Sequence, residues 1–196
     1  MYTKYEQWLN EAKSNNLTGE DWLNSMGIKN YTINSNGTVD VKGDVNISYK
    51  VSKSIPVKFG TVSGDFECSH NMLTSFEGCP KEVGGYFDCS YNNLTSLQGS
   101  PKVGGSFYCS YNRLKSLDSA PKEVNGFFDC SKNYLTSLQG SPKLVKRYFD
   151  CRDNNLTSLE GGPKEVKGHF NCESNEAKFT IEDVKAVSNV TGTIYV

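Results

Sequence analysis

The chain has 196 residues, of which 36% are hydrophobic, a thin supply for one central core but enough where successive layers each bury a narrow ribbon. Its 21 basic and 22 acidic residues nearly cancel, which excludes a global field drawing the protein onto nucleic acid. No stretch is apolar for long enough to span a bilayer, and the opening residues lack the apolar segment of a secretory leader, so a cytoplasmic location is expected.

Tyr5, Trp8, Leu9 and Ala12 fall on one face of a helix predicted from about residue 2 to 14. Thr18-Gly-Glu-Asp21 has the spacing of a capping box and predicts a second helix ending near Gly27. Tyr31-Thr-Ile, the turn residues Asn34 to Gly37 and Thr38-Val-Asp-Val41 read as a hairpin. Residues 1–40 together are expected to form an N-terminal helical and hairpin cap.

Six cysteines, Cys68, Cys89, Cys109, Cys130, Cys151 and Cys172, then recur every 21 residues, with one interval of 20. Each sits in a near-copy of Pro-Lys-x-Val-x-Gly-x-Phe-x-Cys-Ser-x-Asn-x-Leu-x-Ser-Leu-x-Gly. Phe two places before Cys alternates with it in period 2, the pattern of a short strand with one buried face. Val six before Cys never varies among these copies, and Leu five and eight after Cys fills the coil interior, as in Leu94 and Leu97. Gly four before Cys fits either positive φ or a close backbone approach, and only Arg147 breaks that column. Asn three after Cys, from Asn71 to Asn175, has an amide able to bond neighbouring backbone where the chain turns inward. Pro then opens a return arc too rich in Pro and Gly for a full helix. Trp8 and Trp22 of the cap are expected to plug the first coil.

A free Cys behaves as a small buried hydrophobe, so one thiol per coil reads as packing rather than pairing. Cys79, off the period, is the expected reactive thiol. Val41-Lys-Gly43-Asp-Val45-Asn-Ile47-Ser repeats the pattern with aliphatic residues one period earlier, and Val190-Thr-Gly192-Thr-Ile194-Tyr-Val196 repeats it at the end. Eight strands are therefore expected. Between the last two, Thr180 caps a short predicted helix carrying Ile181, Val184 and Val187. Residues 177–196 read as a helix-strand cap.

With Asn, Leu and strand residues at these offsets, the chain resembles the leucine-rich-repeat family over residues 41–176, and its phrasing is similar to short repeat proteins encoded by bacteriophages. The resemblance implies an α/β solenoid with a parallel sheet of about eight strands. It implies binding of another protein through the concave strand face, and, for a phage protein, inhibition of a host or defence factor in the host cytoplasm. Phe-x-Cys in place of Leu-x-Leu departs from the family's strand core.

Residues one and three before Cys face away from the core. They read Asn46, Glu67, Asp88, Tyr108, Asp129, Asp150, Asn171 and Asp44, Asp65, Tyr86, Ser106, Phe127, Tyr148, His169. Asp65, Glu67, Tyr86, Asp88, Tyr108, Phe127, Asp129, Tyr148, Asp150 and His169 are the expected partner-binding residues, continued by Tyr91 and Tyr111. Exposed aromatic patches mark interaction sites, although strand propensity and solubility also favour aromatics and acids here. Asp129 and Asp150, ~4.8 Å apart on adjacent strands, repel unless a cation neutralises them. A partner's Lys or Arg is the expected neutraliser, and a metal is disfavoured because two carboxylates supply too few ligands. Lys81, Lys102, Lys122, Lys143 and Lys164 form a basic column that reads as a solvated face; phosphate contact lacks Arg and interleaved aromatics. His169 could meet Asp150 diagonally, but no Ser completes a triad, so no catalytic residues and no cofactor are expected. A parallel β-solenoid that binds or cleaves polysaccharide is the rival expectation.

Overall fold

The computed structural model describes residues 18–196; the helix predicted over residues 2–14, with Trp8, lies outside them. The described chain opens with α1 (Gly19–Ser25) and the hairpin β1 (Tyr31–Ile33) and β2 (Thr38–Val41). Successive coils then supply β3 (Val45–Asn46), β4 (Lys58–Val62), β5 (Phe66–Glu67), β6 (Glu82–Val83), β7 (Phe87–Asp88), β8 (Lys102–Val103) and β9 (Phe107–Tyr108). They continue with β10 (Glu123–Val124), β11 (Phe128–Asp129), β12 (Leu144–Val145), β13 (Phe149–Asp150), β14 (Glu165–Val166) and β15 (Phe170–Asn171). Then come α2 (Ile181–Val187), β16 (Asn189–Val190) and β17 (Ile194–Tyr195).

The result is a parallel β-solenoid of about eight turns. Its main sheet has the eight expected strands in the order β17-β15-β13-β11-β9-β7-β5-β3, every pair parallel and in register. Identical residues of successive coils therefore stack on one another, as the 21-residue period demands. Among the described residues helix is confined to α1 and α2, seven residues each, so the repeats build a β-solenoid rather than one alternating strand and helix in each repeat.

The Val column builds a second strand per coil, separate from the Phe-x-Cys strand. These strands form a five-stranded sheet, β1-β2-β4-β6-β8, and a four-stranded sheet, β10-β12-β14-β16. The break between β8 and β10 has a sequence cause. Pro101-Lys-Val103 lacks the residue that stands between Lys and Val in Pro121-Lys-Glu-Val124, and this is the source of the single 20-residue interval. Val103 is correspondingly only half-buried, whereas Val83, Val124, Val145 and Val166 are fully buried.

Inside the coil, Phe66, Phe87, Phe107, Phe128, Phe149 and Phe170 form a continuous column with ring centroids 5.0–5.7 Å apart. All seven cysteines are free thiols. Those of Cys89, Cys109, Cys130 and Cys151 donate to a carbonyl of the next coil at 3.2–3.3 Å. Burial pushes these four thiols well up, the state of a packing residue rather than a nucleophile. Cys79 is half-buried, and burial, with the neighbouring Cys79 thiol, pushes the Cys68 thiol well up.

The asparagine column works as its chemistry predicts. Asn133 Nδ2 donates to the carbonyls of Cys109 and Cys130 at 3.0 and 3.1 Å, and its oxygen accepts the Leu114 N–H at 3.0 Å. The glycine four before Cys is there for close approach and not for positive φ: a Cβ at Gly85 would lie 1.9 Å from Asp65 Oδ1, and at Gly168 1.9 Å from the Arg147 carbonyl. Positive φ falls instead two places after Cys, at His70, Tyr91, Tyr111, Lys132, Asp153 and Ser174, and at Tyr49, two after Ile47 in the same slot, with φ between 52° and 60°. None of these is glycine.

At the ends, α1 starts at Thr18 with the expected capping box to Asp21, and Trp22 is buried edge-on to Phe59 at 6.5 Å. The same box, Thr180 with Asp183, starts α2, whose Val184 is buried while Ile181 is exposed.

Candidate binding face

The outer face of the main sheet brings the predicted aromatics into one run. Ring centroids are 6.0 Å apart for Tyr86–Tyr108, 6.5 Å for Tyr108–Phe127, 6.1 Å for Phe127–Tyr148 and 6.0 Å for Tyr148–His169. Tyr195 of the last strand extends it, 6.0 Å from His169. Tyr86, Tyr108, Phe127 and Tyr148 are half-buried and His169 is exposed. Each ring covers part of its neighbour and leaves the rest to solvent.

The acids divide into two structural groups. One place before Cys, Asp88, Asp129 and Asp150 each accept, through Oδ1, the backbone N–H two residues on, at 2.9, 2.9 and 3.1 Å. Asn46 and Asn171 do the same for Ser48 and Glu173. Three places before Cys, Asp65 Oδ1 accepts the Tyr86 N–H of the following coil at 2.8 Å, and Asp44 and Ser106 serve Asp65 and Phe127 alike. These bonds satisfy backbone donors where the strands end, so an Asp, Asn or Ser there has a folding role as well as a surface charge. Glu67 accepts from Asn46 at 2.7 Å and from the Tyr86 hydroxyl. That hydroxyl bond, then burial, raises the Tyr86 pKa.

Asp150 departs from the expectation. Its neutraliser is within the chain: Arg152 Nε lies 3.4 Å from its Oδ2. Arg152 stands where most other coils carry Ser. Asp150 is 4% exposed, and its burial, helped by the charge of Asp129, lifts its pKa to about 6 against the pull of Arg152. His169 Nδ1 accepts the Thr193 N–H at 3.0 Å. Ser106 is buried and bonded to Phe127. Among the described residues, no three His, Cys, Asp or Glu side chains converge on a metal position.

A second aromatic column borders this face, of which the sequence marks only Tyr91 and Tyr111 as strand-end rings. Tyr49, His70, Tyr91 and Tyr111 stack with centroids 4.3, 4.1 and 4.0 Å apart and interplanar angles of 24°, 16° and 13°. Lys132 continues the column 5.2 Å from the Tyr111 ring and pairs with Asp153 at 3.1 Å. The shared slot, two places after Cys, is the signal that could have found all of them. Between the two columns lies a hollow of about 330 Å³, lined by Tyr86 and Tyr108 on one side, His70 and Tyr91 on the other, with Asp88 and Ser90.

The lysine column is exposed. Its backbone forms rungs beside the second-strand sheets, as in Lys143 N–H to Lys122 O at 2.7 Å. No helix among the described residues is long and apolar enough to cross a membrane. The chain matches no family model, no curated protein and no solved structure.

Proposed function

We propose that this chain is a non-enzymatic protein-binding module of the leucine-rich-repeat type, whose partner docks on the acidic and aromatic strand face. The observation that carries the reading is the run of six rings from Tyr86 to Tyr195. The core is complete without them, because the Phe column fills the inner face. A ribbon of aromatic surface flanked by carboxylates is the composition of an interface, not of a solvated sheet. The asparagine ladder and the Leu-x-x-Leu arc support the leucine-rich type. Encoded by a bacteriophage, as the repeat phrasing implies, such a module would occlude a basic surface on a host factor, a defence component included, in the host cytoplasm.

The test is affinity capture with wild type and with Tyr86→Ala/Phe127→Ala/Tyr148→Ala, after circular dichroism shows both folded. A partner recovered by wild type and lost by the variant supports the reading. Equal recovery removes it, and binding of a polysaccharide in its place would establish the glycan alternative.

A further inference from the structure

Resting on that reading, we infer that the strand face accepts a peptide in polyproline-II conformation with two arginines three residues apart, one entering the hollow over Asp88 and the other meeting Asp129. Among the described residues, Asp88 and Asp129 have no ion pair. Each spends Oδ1 on a backbone N–H and keeps Oδ2 for another donor. Asp150, already paired with Arg152, is not a third anchor. The positions one and three before Cys carry no Lys or Arg from Asp44 to Tyr195, and the bordering cations Arg152 and Lys132 are engaged by Asp150 and Asp153, so the surface at Asp88 and Asp129 complements a cationic partner.

Register sets the spacing of the two anchors. Asp88 pairs with Tyr108, and Tyr108 with Asp129, so the carboxylates stand two strands apart, ~10 Å. Three residues of polyproline-II helix advance ~9.3 Å and bring the side chains at i and i+3 back to one face, so an i, i+3 pair in that conformation matches, with Tyr108 beneath the backbone between them. The hollow over Asp88 selects arginine over lysine. Tyr86, Tyr108 and Tyr91 give a planar guanidinium rings to stack on while its N–H groups reach the carboxylate, whereas an ammonium offers neither plane nor fork. At about 330 Å³ the hollow is small for a cofactor and suits one long side chain.

The probe is fluorescein-labelled Gly-Arg-Gly-Gly-Arg-Gly, followed by fluorescence anisotropy against the folded protein at low salt. It should bind at least fivefold tighter than peptides with adjacent arginines, with citrulline for arginine, or with lysine for arginine. Asp88→Asn and Asp129→Asn keep the oxygen that accepts the backbone N–H, so they fold, and each should erase the spacing preference; Glu123→Gln, on the second-strand sheet, should not. Equal binding of all spacings, displacement by an equimolar amount of spermidine, or no effect of Asp88→Asn overturns the inference. The two readings fail separately. If the peptides do not bind while a captured partner is lost by Tyr86→Ala/Phe127→Ala/Tyr148→Ala, the binding face stands and the arginine pair falls; if no partner depends on those rings, both fall.

Discussion

Asn92 Nδ2 donates to the carbonyl of Cys68, one coil back, at 3.0 Å, and so ties two turns of the solenoid together. The same nitrogen reaches Cys89 O at 3.0 Å, and Asn92 Oδ1 accepts the Leu73 N–H at 2.9 Å. Asn92→Ala would leave these backbone groups buried without a partner, a loss of about 2–5 kcal/mol. Urea unfolding should show it as a lower midpoint. Asn155→Ala, at an exposed position, should stay within about 0.5 kcal/mol of wild type.

The thiols can be counted. Cys79 is the half-buried member of the seven, while the other six are buried; Cys172, nearest the open end, has its pKa pushed up to about 12 by burial. Treatment of the native protein with N-ethylmaleimide should give one adduct, at Cys79, by intact mass, and seven after unfolding in urea. Two or more adducts on the native protein would contradict the packing role.

Asp150 makes stability depend on pH in a defined direction. Its folded pKa, about 6, lies above the ordinary 3.8, so the neutral form is favoured in the folded state. That contribution is complete below about pH 4 and is lost as pH rises through 6. Asp150→Asn stays neutral throughout and retains an acceptor for the Arg152 N–H. Relative to wild type, the variant should therefore gain on the order of 1–2 kcal/mol between pH 4.5 and 7.5, read from urea midpoints at both values. A difference that does not change with pH would remove the assignment.

Positive φ without glycine is a removable cost. Ser174 has φ 55° and is exposed, so Ser174→Gly should stabilise the protein by about 1 kcal/mol. Tyr91→Gly relieves the same backbone but deletes the contacts to His70 and Tyr111, and should not stabilise. Thermal midpoints of the two variants test whether the stacked column repays its conformation.

The period carries most of the fold. Because each coil repeats Phe, Cys, Asn and Leu at fixed offsets, parallel in-register stacking follows from the sequence alone, and Val41 to Ile47 and Val190 to Val196 join by subtraction and addition of one period. The second strand is not legible, because Glu82–Val83 is two residues long and its alternation is lost in the following glycines. The face is legible where side chains alternate, which places Tyr86, Tyr108, Phe127 and Tyr148 together. Of the column from Tyr49 to Asp153, Tyr91 and Tyr111 are legible as strand-end rings, and the rest is linked only by its shared slot, since no alternation marks a residue with positive φ and the members share no chemistry beyond Tyr111. Arg152 escapes notice as the partner of Asp150 for a related reason: it occupies a slot that the repeat fills mostly with Ser, and it reaches back to a carboxylate two residues before it in its own coil.

The central claim, that the outer face of the main sheet meets a partner, is tested most directly by site-specific photocrosslinking. Benzoylphenylalanine replaces Tyr108, in the centre of the ring run, or Lys143, exposed beside the second-strand sheet, and each protein is irradiated in a lysate of the cells in which it acts. A discrete crosslinked species is expected from position 108 and none from position 143. A species from position 143 with none from position 108 would contradict the claim.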